Sequence, residues 1–276
     1  MLVIILLFLI GTPFFLLYGA YLVHGKPKIA AFVQNRIVFN TPITREEYEW
    51  LDSFLSEKNT FYKELSIHGK AKFIKRLKRF NKEMKYQGME GLRVTKEMKI
   101  LIASSAIQLT YGLKYFLIEN LKGFKIYPSI FYHSLIKHHL KGGMPPEGYM
   151  MLSWEHVQKG FYYPNDKYNL ALHEMAHALK LSIKYAYNFD VYFYHYLKHW
   201  NKLSAREFRK MKYNNDNFLR DYAATNMEEF FAVSVEHFFE VPKDFKESLP
   251  DLYNHLCKML NINPLNADNN YRLVRV

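Results

Sequence analysis

The sequence predicts an α+β domain, a small sheet with helices before and after it, behind an N-terminal transmembrane helix. Three observations carry this expectation. Residues 1–23 contain no charged side chain, while the rest of the 276-residue chain is rich in Lys, Arg, Asp and Glu. Between residues 44 and 110 apolar residues recur at helical spacing. The period then changes to short aromatic and β-branched runs bounded by Gly and Pro, and helical spacing returns near residue 166.

Taken in order, the apolar run at 1–23 comes first. About 20 apolar residues at roughly 1.5 Å each cross a hydrocarbon core of about 30 Å. Gly11, Thr12 and Pro13 in its middle are tolerated in a membrane helix. No basic residue precedes the run, as one would in a signal peptide. Lys26, Lys28 and Arg36 follow it, so the positive-inside rule leaves the body of the chain in the cytoplasm. The expected organisation is an anchor at 1–23, a linker at 24–40 and a domain at 41–276, single-pass in the membrane.

Within the domain, helices are expected at 44–58 and 60–86, the second broken by Gly88 and Gly91. Thr95 can cap a third through about residue 110. Strands follow near 113–118, 124–131 and 148–154, with the Gly- and Pro-rich stretch 142–148 as a loop. Helices return at 166–185 and 226–240, and Pro242 closes the latter.

Hydrophobic residues make up 49% of the chain, enough for an ordinary buried core. The one cysteine, Cys257, cannot form an internal disulfide, which fits a reducing compartment. Much of the net charge of +12 lies in residues 70–85. There Phe73, Leu77, Phe80 and Met84 form a core-facing stripe, and Lys72, Lys75, Arg76, Arg79 and Lys82 read as a solvated face. Anionic lipid headgroups are the next idea for that face. No nucleic-acid motif accompanies the charge, so no nucleic-acid partner is expected.

The chemistry lies in His173-Glu174-Met175-Ala176-His177. On a helix, residues i and i+4 share a face, so two imidazoles can grip one Zn2+ and the adjacent glutamate can reach a water on the metal. Pro164, Asn165 and Asp166 supply a turn and a cap, and Leu170, Ala171, Leu172, Ala176, Ala178 and Leu179 make the helix apolar. Buried histidines and a glutamate there need partners. A later helix offers Glu228, Glu229 and Glu236 as a third ligand. Thr225 and Glu228 fit a capping box, which would occupy Glu228. Glu229 and Glu236 share one face beside Ala232 and Val233, with Glu229 favoured as ligand. Glu236 suits an acceptor that orients a ligand imidazole. His195 and His199 are also four apart but lack an accompanying glutamate, and His138, His139 and His156 have less to recommend them.

HEMAH, preceded by MLSWEHVQKG and followed by DYAATNMEEFFAVSVEHFFEVP, resembles the zinc peptidases related to Mlc titration factor A. The likeness runs from about residue 45 to 260, and the YAATN-x-x-E-x-F-A-V-x-x-E string is far more specific than HExxH alone. It implies a gluzincin-like zinc metallopeptidase domain with His173, His177 and Glu229 on the metal, Glu174 catalytic and Tyr222 a site tyrosine. Lys180 departs from the pattern, standing where many relatives carry an acidic residue, and the N-terminal anchor is foreign to the soluble relatives.

The expected activity is hydrolysis of a peptide or protein substrate. Zinc would activate a water, Glu174 would take its proton, and Tyr222 would donate to the developing oxyanion. The strand near 148–153 could pair with an extended substrate. The competing expectation is a binding module that sequesters a regulatory protein such as a transcriptional repressor, a role that has no use for Glu174.

Overall fold

The computed structural model describes residues 42–185, 190–213 and 217–273. The chain divides into two compact units, Met1–Asn40 and Thr41–Val276, and the described residues all belong to the second. That unit is mixed α+β, mostly helical with a small sheet, as the change of period predicted.

Among the described residues no helix is long and apolar enough to cross a membrane. The expected single-pass membrane placement is corrected on that finding. The longest described helix, Val191–Met211, has 21 residues but carries Lys198, Lys202, Arg206, Glu207, Arg209 and Lys210. The expected anchor at 1–23 and linker at 24–40 lie outside the described residues.

Helix α1 (Arg45–Lys58) starts at Thr44, whose hydroxyl accepts from Glu47 N–H at 3.2 Å. The segment expected as one helix over 60–86 is two helices and a strand. The short α2 (Thr60–Lys63) ends before Ser66, which caps α3 (Ile67–Glu83) by accepting from Gly69 N–H. The remainder becomes β1 (Lys85–Gly88), because its backbone pairs in parallel with β2 (Gly123–Tyr127). Between them runs α4 (Lys96–Leu109), almost wholly buried and capped by Thr95 as the sequence indicated.

The strand expected at 113–118 does not form. Arg76, expected on a solvated face, is buried and donates to the carbonyls of Thr110, Tyr111 and Leu113, and Lys114 N–H donates to Asp190. Backbone groups committed to side chains are lost to a ladder. Leu113, Phe116 and Ile118 are still buried, which is why the run reads as a strand.

Pro128 stands between β2 and a hairpin of β3 (Phe131–His133) and β4 (His138–Leu140). The main sheet is completed by β5 (Gly142–Gly143) and β6 (Tyr149–Ser153), in the order β1-β2-β6-β5. The first three strands are parallel, and β5 runs antiparallel to β6 on the sheet edge. Strand β6 therefore has a partner on both sides, and the edge facing outward belongs to the stretch expected as a loop.

After α5 (Trp154–Tyr162), helix α6 (Leu170–Tyr185) packs against α4, α5, β5 and β6 on one side. Its other neighbour is α8 (Met227–Glu240), which follows α7 (Val191–Met211) and a 3-10 turn at Asp221–Ala224. Pro242 ends α8 as expected and opens α9 (Pro242–Ser248), followed by α10 (Pro250–Leu260). Helix α6, between sheet edge and α8, carries the chemistry.

Candidate metal centre

Helix α6 begins at Asn169, not at the Asp166 turn. The Asn169 side chain accepts from Leu172 N–H at 3.1 Å and donates to the Gly160 carbonyl at 3.3 Å. Asp166 instead accepts from Tyr168 N–H within the preceding turn. Ala171, Leu172, Met175, Ala176 and Ala178 bury the helix, and His173 and Glu174 are 8% and 5% exposed. A helix this apolar is held in the core, and its polar side chains find their partners there.

Those partners come from α8. Its cap is Asn226, whose side-chain oxygen accepts from both Glu228 and Glu229 N–H at 2.9 Å. The Thr225–Glu228 capping box is thus replaced, and Glu228 reaches Lys180 at 2.7 Å. Glu229 and Glu236, two turns apart, both face α6 across the buried Ala232 and Val233.

The structure brings His173, His177 and Glu229 together. His173 Nε2 lies 3.0 Å from Glu229 Oε2 and 3.1 Å from His177 Nε2, and His177 Nε2 lies 3.3 Å from the same carboxylate oxygen. On its other side His173 Nδ1 is 2.8 Å from Glu236 Oε1. Without an ion, a protonated His173 donates from Nδ1 to Glu236 and from Nε2 to Glu229. Once Nε2 gives up that proton, His173 Nε2, His177 Nε2 and Glu229 Oε2 are three donor atoms placed to hold one cation. Tetrahedral ligands about 2.1 Å from a common ion stand roughly 3.4 Å apart, close to the separations seen. Among the described residues this is the one group of three His, Cys, Asp or Glu side chains placed to hold a metal ion.

The electrostatics agree. Burial works against a charged His173, but hydrogen bonds to Glu229 and Glu236 outweigh it and raise its pKa. Burial likewise opposes charge on Glu229, yet His173 and His177 hold its carboxyl at about 2. The centre thus favours one positive charge against its carboxylates. Glu236 is further fixed by the Asn169 N–H at 2.6 Å and by an ion pair with Arg220, whose guanidinium stacks over the Tyr168 ring at 3.9 Å.

Glu174 lies beside this group with its pKa raised, chiefly by burial. Its Oε2 has no hydrogen-bond partner among the described residues. Gly142 of β5 is packed against it: a Cβ there would come within 2.5 Å of Glu174 Oε1. Tyr222, from the 3-10 turn, is half exposed, with its ring centroid 6.0 Å from that of His173. Burial raises its pKa, with Glu229 and Glu174 adding to the effect.

Two depressions meet at the centre and share Leu140, Gly142, His173, Glu174 and Tyr222. One, of about 990 Å³, includes Lys141, His156, Lys167 and Arg220. The other, of about 780 Å³, includes Met144, Lys180, Leu181, Leu197 and Glu228. His195 and His199 lie elsewhere, on α7, with His199 Nδ1 bonded to the His195 carbonyl. Sequence reasoning missed Arg220, Asn169, Asn226 and Gly142. Only Arg220 left a trace, since a buried Glu236 demands a cation and Arg220 directly precedes the YAATN string.

A family model described as glucose-regulated metallo-peptidase M90 matches residues 31–260. An uncharacterized protein of Synechocystis sp. (strain ATCC 27184 / PCC 6803 / Kazusa) is 24% identical over 247 residues, covering 77% of this chain and 84% of its own. Proteins named Mlc titration factor A from Yersinia pestis (strain Pestoides F) and Yersinia pseudotuberculosis serotype O:1b are each 27% identical over 126 residues. That match covers 43% of this chain and 46%, less than half, of those relatives.

Proposed function

The chain belongs to the glucose-regulated metallo-peptidase M90 family, and from that premise we propose that it is a zinc-dependent peptidase of the gluzincin type. The observation that carries this is the convergence of three donor atoms within 3.0–3.3 Å of one another beside the buried Glu174. His173, His177 and Glu229 hold the metal, and two imidazoles with one carboxylate are a donor set that suits zinc. Bound there, zinc supplies a Lewis acid and lowers the pKa of water to about 7.

The remaining steps fall to the chain's own side chains. Glu174 is the general base: its raised pKa and unpartnered Oε2 suit it to take a proton from the attacking water and return it to the leaving amine. Tyr222 presents its hydroxyl to the carbonyl oxygen as negative charge develops there. Loss of one such donor costs about 2.7–4 kcal/mol of barrier. Glu236 keeps the His173 tautomer fixed by accepting from Nδ1–H.

The name of the Yersinia relatives supports a second reading, in which the domain sequesters a regulatory protein such as a transcriptional repressor. The two readings separate on Glu174→Gln, which removes the base and leaves the three donors in place. Peptide hydrolysis by the full chain and by this variant, with zinc content measured in both, is the test. Cleavage by wild type and none by the zinc-loaded variant is expected. Equal zinc in both with no cleavage by either moves the binding reading ahead.

A further inference from the structure

We propose that a second cavity, at the amino-terminal end of α6, binds a small organic cation on the Glu240 carboxylate and through it tightens the metal centre.

The cavity has a volume of about 360 Å³, within the roughly 300–1,000 Å³ range of ligand pockets, and none of the three metal donors lines it. Asn59, Gln108 and Asn169 give it amide groups, and Phe61, Phe161, Phe239 and Tyr271 give it aromatic walls. Phe61 and Tyr271 stack with ring centroids 4.0 Å apart, and Phe239 meets Phe61 edge-on. Aromatic faces of this kind attract cations.

The charge of the lining points the same way. Its charged residues are Lys58, Glu64 and Glu240, and Lys58 is paired with Glu57 at 2.8 Å, so carboxylate is in excess. Glu240 is only 6% exposed, and neither of its oxygens has a hydrogen-bond partner among the described residues. A buried carboxyl left in this way is costly until a proton or a cation completes it. Burial pushes its pKa up to about 8; the Asn169 side chain and the Lys167 backbone oppose this, while Asp166 and Glu236 add to it. Near neutral pH the carboxyl therefore holds a proton, and an arriving cation takes that proton's place. The described residues offer no set of three metal ligands here. The aromatic walls suit an ammonium or guanidinium carried on a ring or a short hydrocarbon body.

Asn169 connects the cavity to the chemistry. It is the one residue that lines both this cavity and the 990 Å³ depression. Its backbone N–H donates to Glu236 at 2.6 Å, and Glu236 lies 2.8 Å from His173 Nδ1. A cation held between Glu240 and the Asn169 amide steadies that N–H, and with it the carboxylate that orients His173. The effect is mutual, so zinc strengthens cation binding by the same factor.

The experiment titrates benzylamine, phenylguanidine and the neutral benzyl alcohol into the metal-free and the zinc-loaded full chain, by calorimetry in buffers of different ionisation heat. A Kd of about 1 mM or tighter is expected for a cationic probe, with close to one proton released at pH 7 and binding of the alcohol about tenfold weaker. Glu240→Gln keeps the size and loses the charge, so it should weaken the cation about tenfold and abolish the proton release. Ala267→Leu, which adds bulk to the cavity wall and leaves Glu240 in place, should weaken it as well. Binding that survives both substitutions, or no binding of either cation at about 10 mM, overturns the site. Zinc affinity, read by competition with a chelator, should rise about fivefold with the cation bound. An unchanged or weaker zinc affinity overturns the coupling through Asn169.

Discussion

At His173 two carboxylates act on one imidazole, Glu236 fixing Nδ1 and Glu229 sharing Nε2 with His177. Replacing Glu236 with Gln weakens that orientation without emptying the space. Metal affinity is expected to fall roughly 10–100-fold, as read by competition with a chelator. Gly142 makes a different prediction. A methyl group there would push on the Glu174 carboxylate, so Gly142→Ala should lower kcat while zinc content stays at the wild-type level. Glu240 lies away from the metal donors, and burial pushes its carboxyl up to about 8. The folded chain therefore keeps a proton that the unfolded chain releases near pH 4.3. Stability falls as pH rises from about 4.3 to about 8 and levels off beyond, by on the order of 5 kcal/mol. Glu240→Gln should flatten that slope in urea titrations run from pH 5 to 8; an unchanged slope would count against this assignment.

Among the elements, α8 shows what periodicity can and cannot reveal. Its extent and the shared face of Glu229 and Glu236 were legible from a two-turn spacing and small residues between them. Its cap was not, because Thr225 and Asn226 are both good capping residues and only backbone geometry chooses between them. Asn226→Ala should cost about 1 kcal/mol in thermal or urea unfolding, and it should weaken metal binding because Glu229 sits in the first turn. The stretch at 113–118 failed because its backbone groups go to side chains: Arg76, over thirty residues earlier, donates to the Leu113 carbonyl, Asp190 accepts from Lys114 N–H, and the Thr110 hydroxyl donates to the Phe116 carbonyl. A basic residue in a run of basic residues carries no sign that it will be buried. The β5 pairing was equally hidden, since two glycines in a Gly- and Pro-rich stretch look like a loop until Met151 and Leu152 lie beside them.

At the scale of the molecule, the centre draws on two helices separated by a third. His173 and His177 come from α6 and Glu229 from α8, with α7 between them in the chain. Binding of zinc to the folded form alone stabilises it by RT ln(1 + [L]/Kd), about 4 kcal/mol at a thousandfold excess over Kd. Chelation should lower the melting temperature accordingly, and an unchanged value would argue against a resident ion. The proton favoured on His173 leaves when metal arrives, so affinity should weaken as pH falls, with proton release visible in calorimetry across buffers. Joining residue 177 to residue 229 has one more consequence. A bound ion acts as a reversible cross-link, closing a loop of about fifty residues whose freedom the unfolded chain would otherwise enjoy. A chelator would then work as a pair of scissors, and limited proteolysis should find its new cuts inside that loop before anywhere else.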